Sequence, residues 1–128
     1  MTDSLQAAAL AALENAHAPY SKFRVGAALE DASGRVHTGC NIENATYGLT
    51  LCAERVAVFK AVSEGVREFR RIAVAADTET LTPPCGACRQ ILWEFCGDIE
   101  ITLVNLHGKS EVVRLKELFP RAFDASFL

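Results

Sequence analysis

Residues 71–105, RIAVAADTETLTPPCGACRQILWEFCGDIEITLVN, decide the architecture. Arg71 to Ala76 is short, apolar and free of turn formers, the pattern of a strand buried on both faces. Asp77 to Pro84 reads as a loop. Gly86 to Phe95 predicts a helix that stops at Gly97, and Ile99 to Asn105 predicts a second strand. Strand, helix and strand in this order form a crossover unit, the connection that joins parallel strands.

Upstream, Cys52 to Glu64 predicts another helix, closed by Gly65 and preceded by a loop from Asn41 to Thr50. Phe23 to Leu29 and Arg35 to Cys40 predict a hairpin around the turn residues Asp31-Ala-Ser-Gly34. The helix over 52–64 then supplies a second crossover, into the strand at 71–76. Ser4 can cap a first helix reaching about Ala16, with an apolar stripe at Leu5, Ala8, Ala9, Ala12 and Leu13. His17-Ala18-Pro19 ends it, because a residue before proline disfavours helix. Glu111 to Arg114 predicts a short last strand, and Leu115 to Phe119 a helical turn. Five strands and interspersed helices imply an α/β sheet covered on both faces. The length, 128 residues, and the absence of repeats or Gly/Ser linkers predict a single domain over 1–128.

Half the residues are hydrophobic and 23% are charged, with a net charge of −3. That balance gives no basic footprint for nucleic acid and suits a small free substrate. Met1 to Leu13 opens with Asp3 and is too weakly apolar for a signal peptide. No apolar run approaches the roughly 18 residues that cross a bilayer. The expected location is the cytosol, with no membrane partner.

Five cysteines in a reducing compartment argue against a disulfide framework. Cys85 and Cys88 stand three residues apart at a helix start, where nearly one turn brings both sulfurs to one point. The positive end of the helix favours thiolate, the form that ligates zinc. A lone Cys-Gly-Ala-Cys is equally a redox pattern. Cys52 also opens a helix, and three protein ligands would leave the fourth tetrahedral position open, as in catalytic zinc sites. Glu54, two residues on, has the chemistry of a proton shuttle for activated water. It is equally a first-turn glutamate favoured by the helix dipole. Residues two apart face different sides of a regular helix, so Glu54 reaches the metal only if the chain departs from helix at Cys52.

Cys52-Ala-Glu followed by Pro84-Cys-Gly-Ala-Cys88 resembles the signature of zinc nucleoside and base deaminases. Further segments resemble the small, homotetrameric cytidine deaminases. They are Ala18-Pro-Tyr-Ser-Lys-Phe23, Val25-Gly-Ala-Ala28, Gly39-Cys-Asn-Ile-Glu-Asn-Ala45, Tyr47-Gly48, Cys52-Ala-Glu-Arg55 and Pro84-Cys-Gly-Ala-Cys-Arg-Gln90. The resemblance runs from about residue 4 to residue 123. It implies a three-layer α/β/α fold around a central mixed five-stranded sheet. It also implies one Zn²⁺ per subunit, held by Cys52, Cys85 and Cys88. Glu54 would take a proton from the activated water, deliver it to the ring nitrogen and help expel ammonia as water attacks C4 of the pyrimidine. Asn41 and Glu43 would bind the ribose hydroxyls. Two residues apart at a strand end, they point to one face. Phe23 would pack on the ring, with Ala53 also at the substrate. Tyr47 and Phe123 resemble residues that reach a neighbouring subunit's site, although Phe119 replaces a leucine in this stretch and Phe127 lies close by. Arg55 would offset the negative charge of three thiolates on one Zn²⁺.

The implied activity is hydrolysis of cytidine and deoxycytidine to uridine and deoxyuridine in pyrimidine salvage. Both nucleosides carry the 3′-hydroxyl, so the sequence does not rank them. Alternatives are a deaminase of another aminopyrimidine nucleoside such as blasticidin S, a redox protein on Cys85 and Cys88, and a zinc-stapled interaction module. Cys40 and Cys96 are expected to be buried, inert thiols, and His17, His37 and His107 no ligands. Arg89 and Gln90 receive no chemical role.

Overall fold

Strand β1 (Val25–Asp31) pairs antiparallel with β2 (Val36–Cys40) on one side and with β3 (Phe69–Ala76) on the other. β3 runs parallel to β4 (Glu100–Asn105), and β5 (Ser110–Arg114) closes the edge antiparallel to β4. The order across the mixed sheet is β2-β1-β3-β4-β5. Helices α1 (Ser4–Leu13), α2 (Ala53–Ser63), α3 (Gly86–Cys96) and the short α4 (Leu115–Leu118) complete the frame, with 3₁₀ turns at Tyr47–Leu49 and Ala125–Phe127. This computed structural model describes residues 3–128. Met1 and Thr2, at the start of the segment weighed as a signal peptide and of the expected 1–128 domain, lie outside the described residues.

Both predicted crossovers are present. α3 joins the adjacent parallel strands β3 and β4. α2 joins β2 to β3, which run parallel to each other with β1 antiparallel between them. Side chains alternate strictly across the sheet. Ala27, Leu29, Ile72, Val74, Ile101 and Leu103 face Ala53, Ala57, Val58, Ala61 and Leu92 of α2 and α3. Ala28, Ala73, Ala75 and Val104 face Leu5, Ala9 and Leu13 of α1. The result is the α/β/α layering that the resemblance implied. Each fully buried Leu, Ile or Val in these layers contributes roughly 1.5–3 kcal/mol through burial.

Two glycines set how closely helices lie on the sheet. A Cβ on Gly26 would stand 2.2 Å from the Ala9 carbonyl oxygen, and one on Gly39 2.5 Å from that of Ala53. Only glycine admits these backbone contacts, and the second one seats α2, whose first turn carries Cys52 to Arg55.

The element boundaries differ from expectation in instructive places. Asp3, not Ser4, caps α1, its side chain accepting from the Gln6 amide, because Ser4 is already helical. α1 stops at Leu13 rather than near Ala16, since His17 is drawn into a bridge with Ile42. Phe23 precedes β1 instead of opening it, and Cys52 caps α2 instead of lying within it.

Candidate active site

Helices α2 and α3 begin side by side, each with a cysteine as its N-cap. Cys52 has φ −74° and ψ 154°, and Cys85 has φ −68° and ψ 170°, both extended. Neither side chain caps its own helix, which leaves both sulfurs free. Cys88 stands one turn inside α3 and is buried. The three Sγ atoms lie within 4.8 Å of one another, with Cys52 and Cys85 3.8 Å apart. Among the described residues no other His, Cys, Asp or Glu group of three converges in this way.

The donor set fits one zinc ion per chain. Cys52, Cys85 and Cys88 would hold the ion as three thiolate ligands, the number typical of a catalytic rather than a structural zinc, and Cys52 and Cys85 also line a cavity. Two helix N-termini favour the thiolate form. The Cys52 and Cys88 thiols share a hydrogen bond that draws the Cys52 thiol down, with Arg55 adding to this, and pushes the buried Cys88 thiol up. Arg55 Nη2 lies 3.3 Å from Cys52 Sγ and 3.4 Å from the Thr50 carbonyl oxygen, while its Nε is buried without a partner.

Because Cys52 is extended rather than helical, Glu54 turns to the same side as the sulfurs. It is 4% exposed and lines the cavity together with Cys52 and Cys85. Burial pushes its carboxyl up to about 7, and the nearby Cys52 charge adds to this. A carboxyl titrating near neutrality can both accept and return a proton.

The cavity holds about 320 Å³. Phe23, Asn41, Glu43 and Ala53 all line it, so the structure brings these predicted residues together with Glu54. Asn41 braces the wall: Oδ1 accepts from the Val25 amide at 2.9 Å and Nδ2 donates to the Phe23 carbonyl at 2.6 Å. Glu43 Oε1 accepts from the Tyr20 and Ser21 amides at 3.0 and 3.2 Å, and Oε2 from the Ser21 hydroxyl. These bonds, the Ser21 hydroxyl foremost, hold the Glu43 carboxyl below its ordinary range. A neighbouring cavity of about 330 Å³ shares Ser21, Glu43 and Thr50 and adds Tyr20 and Tyr47.

Tyr47 lies on the 3₁₀ turn, 73% exposed, its ring 6.1 Å from that of Tyr20. Phe123 does not line its own chain's cavity. It is 55% exposed and stacks on Phe127 at 5.6 Å. Cys40 and Cys96 stand apart from the sulfur cluster and are half-buried rather than fully buried; burial still raises both thiols, Cys96 to about 12. His37 is buried against Asp31 at 2.9 Å. Ser21, Thr50, Leu51, Val74, Thr82 and Pro83 also line the cavity and were not anticipated. Ser21 lies within Ala18-Pro-Tyr-Ser-Lys-Phe23, a spacing that by itself does not bring it to Glu43.

Converging thiols at two helix starts, with a buried glutamate beside them, are the equipment of a zinc-dependent hydrolase on an α/β/α fold. The family model described as "Cytidine and deoxycytidylate deaminase zinc-binding region" matches residues 1–103. The chain is 55% identical over 113 residues to the cytidine deaminase of Sporosarcina psychrophila, covering 88% of this chain and 83% of that protein. A crystal structure of cytidine deaminase from Burkholderia pseudomallei superposes with a TM-score of 0.91 at 48% identity, covering 96% of this chain and all of that one. Blasticidin-S deaminase of Bacillus cereus is 29% identical over 108 residues, covering 78% of this chain and 76% of that protein. The chain belongs to the cytidine and deoxycytidylate deaminase family.

Proposed function

We propose that this chain hydrolyses the 4-amino group of cytidine and deoxycytidine, giving uridine or deoxyuridine and ammonia. The observation that carries this reading is Glu54, buried on the wall of a nucleoside-sized cavity beside the Cys52, Cys85 and Cys88 sulfurs. Zinc, when bound by those three sulfurs, supplies a Lewis acid that activates water at neutral pH. Phe23 packs on the pyrimidine ring, and Asn41 and Glu43 receive the ribose. Glu54 accepts one proton of the attacking water and passes it to the ring nitrogen; it then takes the proton of the new C4 hydroxyl and gives it to the amine, so that the C4–N bond breaks, ammonia leaves and the C4 carbonyl forms. Arg55 donates to the Cys52 sulfur and offsets the thiolate charge.

Two features favour a nucleoside over a nucleotide. Neither cavity is lined by a lysine or arginine among the described residues, and Glu43 places a carboxylate where the sugar enters. A phosphate would meet negative charge there. The 53–55% identity to proteins named cytidine deaminase or probable cytidine deaminase favours cytidine over blasticidin S. Residues 1–128 act as one domain and assemble as a homotetramer, with Tyr47 and Phe123 completing neighbouring sites. The support is the exposure of both aromatic rings. Pyrimidine salvage in the cytosol is the proposed setting, where reducing conditions keep the thiols free. No helix among the described residues is long and apolar enough to cross a membrane.

The test is ammonia release by zinc-replete protein from cytidine, deoxycytidine, deoxycytidylate, cytosine and blasticidin S in parallel. Turnover of the two nucleosides, lost in Glu54→Gln with zinc retained, is the expected result. No nucleoside turnover with zinc bound would sink the assignment.

A further inference from the structure

The two metal-facing N-caps share an unusual weakness. An N-cap side chain ordinarily bonds an amide of its own first turn and so locks the entry to the helix. Cys52 and Cys85 make no such bond. Each is instead followed, one turn in, by an arginine that reaches back to a backbone carbonyl just upstream. Arg55 donates to Thr50 O, and Arg89 donates through Nε to Pro84 O at 2.8 Å. Arg89 differs from Arg55 in touching no sulfur. Its second bond, from Nη1, goes to Leu118 O at the end of α4.

A cation near a helix N-terminus works against the helix dipole, so stabilising α3 does not explain Arg89. Its geometry does. Helical side chains point toward the N-terminus, which carries the guanidinium at position 89 back to the peptide that precedes Cys85. The planar fork then fixes the Pro84 carbonyl against the Leu118 carbonyl, two acceptors from segments far apart in the chain. Pro84 is buried and cannot donate an amide bond of its own.

We propose that Arg89 is a positioning residue for the metal centre, holding the Pro84–Cys85 peptide so that the Cys85 sulfur meets those of Cys52 and Cys88. The inference rests on the reading that these three sulfurs bind zinc. α3 also holds the C-terminal segment by two further side-chain bonds, Gln90 Nε2 to Phe123 O at 2.9 Å and Trp93 Nε1 to Asp124 at 3.0 Å. Those bonds do not touch the ligand loop, so they provide the control.

The experiment follows zinc transfer from the loaded protein to a colorimetric chelator, together with the absorption bands of the cobalt(II)-substituted protein. The proteins are wild type, Arg89→Gln, Arg89→Lys and Gln90→Ala. Arg89→Gln is expected to release zinc about tenfold faster or more, the range seen when groups that orient ligands are removed, and to shift the cobalt bands. Arg89→Lys, which keeps one carbonyl bond, should fall between, and Gln90→Ala should match wild type. If Arg89→Gln does not fold, the lysine variant decides: release faster than wild type supports the proposal, and the wild-type rate overturns it. Unchanged release and spectrum in Arg89→Gln would also overturn it, as would equally fast release from Gln90→Ala. Wild-type protein that holds no zinc would overturn the metal reading itself, and this inference with it.

Discussion

Gly39 lies so close to Ala53 that a Cβ on the glycine would stand 2.5 Å from the Ala53 carbonyl oxygen and 2.6 Å from the Ala57 amide nitrogen. Strand β2 and helix α2 therefore touch backbone to backbone, directly beneath the turn that carries Cys52 and Glu54. Gly39→Ala must push α2 outward, with an overpacking cost of about 1–3 kcal/mol. The expected outcome is a lower Tm and a lower kcat/KM together. Gly26→Ala crowds α1 on the opposite face, which bears no site residue, and should lower Tm while sparing kcat/KM in the folded fraction. Thermal melts and initial rates on both variants check this. Equal kcat/KM losses would show that the Gly39 contact does not specifically place the site.

Arg55 donates to Cys52 Sγ at 3.3 Å, the one side-chain cation in contact with the sulfur cluster among the described residues. Arg55→Ala should keep the fold and the zinc, yet lower kcat/KM by about ten- to a hundredfold, because the thiolate charge is then unopposed. In zinc-stripped protein the Cys52 thiol should titrate at higher pH than in wild type, since Arg55 is one of the groups that draw it down. Thiolate absorbance against pH reads this directly. Unchanged activity with full zinc content would remove Arg55 from the chemistry.

The sheet was legible because its strands are short apolar runs between turn residues, and both crossovers followed from their order. The Cys85 and Cys88 pair was legible because spacing within one turn is local information, whereas Cys52 lies 33 residues before Cys85 and joined them only through the family resemblance. Glu54 was ambiguous for the opposite reason. Helical spacing turns it away from Cys52, and only the extended backbone at Cys52 resolves the conflict. Spacing placed Asn41 and Glu43 on one face, yet their bonds to Val25, Tyr20 and Ser21 depend on how residues 17–25 fold back over them. Arg89 was invisible because one of its partners, Leu118, is distant in the chain.

Asp31 closes the β1–β2 turn. Its Oδ1 accepts from the Ser33 amide, the Ser33 hydroxyl and the Arg35 amide, and its Oδ2 lies 2.9 Å from His37 Nε2. The His37 contact first, then Ser33, holds the carboxyl well below the ordinary carboxylate value of 3.8. A depressed folded pKa gives stability that is present above 3.8 and lost as pH falls below it. The Tm gap between wild type and Asp31→Asn should therefore be steady near neutrality and shrink as pH drops below 3.8. Melts in a pH series measure it, and a gap that is constant into acid would contradict the assignment.

Glu54 carries the reverse sign. An exposed glutamate titrates near 4.5, whereas burial holds Glu54 up to about 7. Between those values the unfolded chain gives up a proton that the folded chain keeps. Folding stability of the zinc-stripped protein therefore falls as pH rises through this window and levels off above it. The full effect is on the order of 3 kcal/mol, at about 1.4 kcal/mol for each pH unit of displacement. Glu54→Gln cannot ionise and escapes that loss. Zinc-stripped Glu54→Gln should thus gain stability over zinc-stripped wild type as pH climbs from 4.5 toward 7, while the zinc-loaded variant loses about 10²–10⁴ in kcat. Denaturant titrations across the pH series, paired with ammonia release from cytidine, test both halves. A stability difference independent of pH would mean that the Glu54 carboxyl is not held neutral by its surroundings in the zinc-stripped protein.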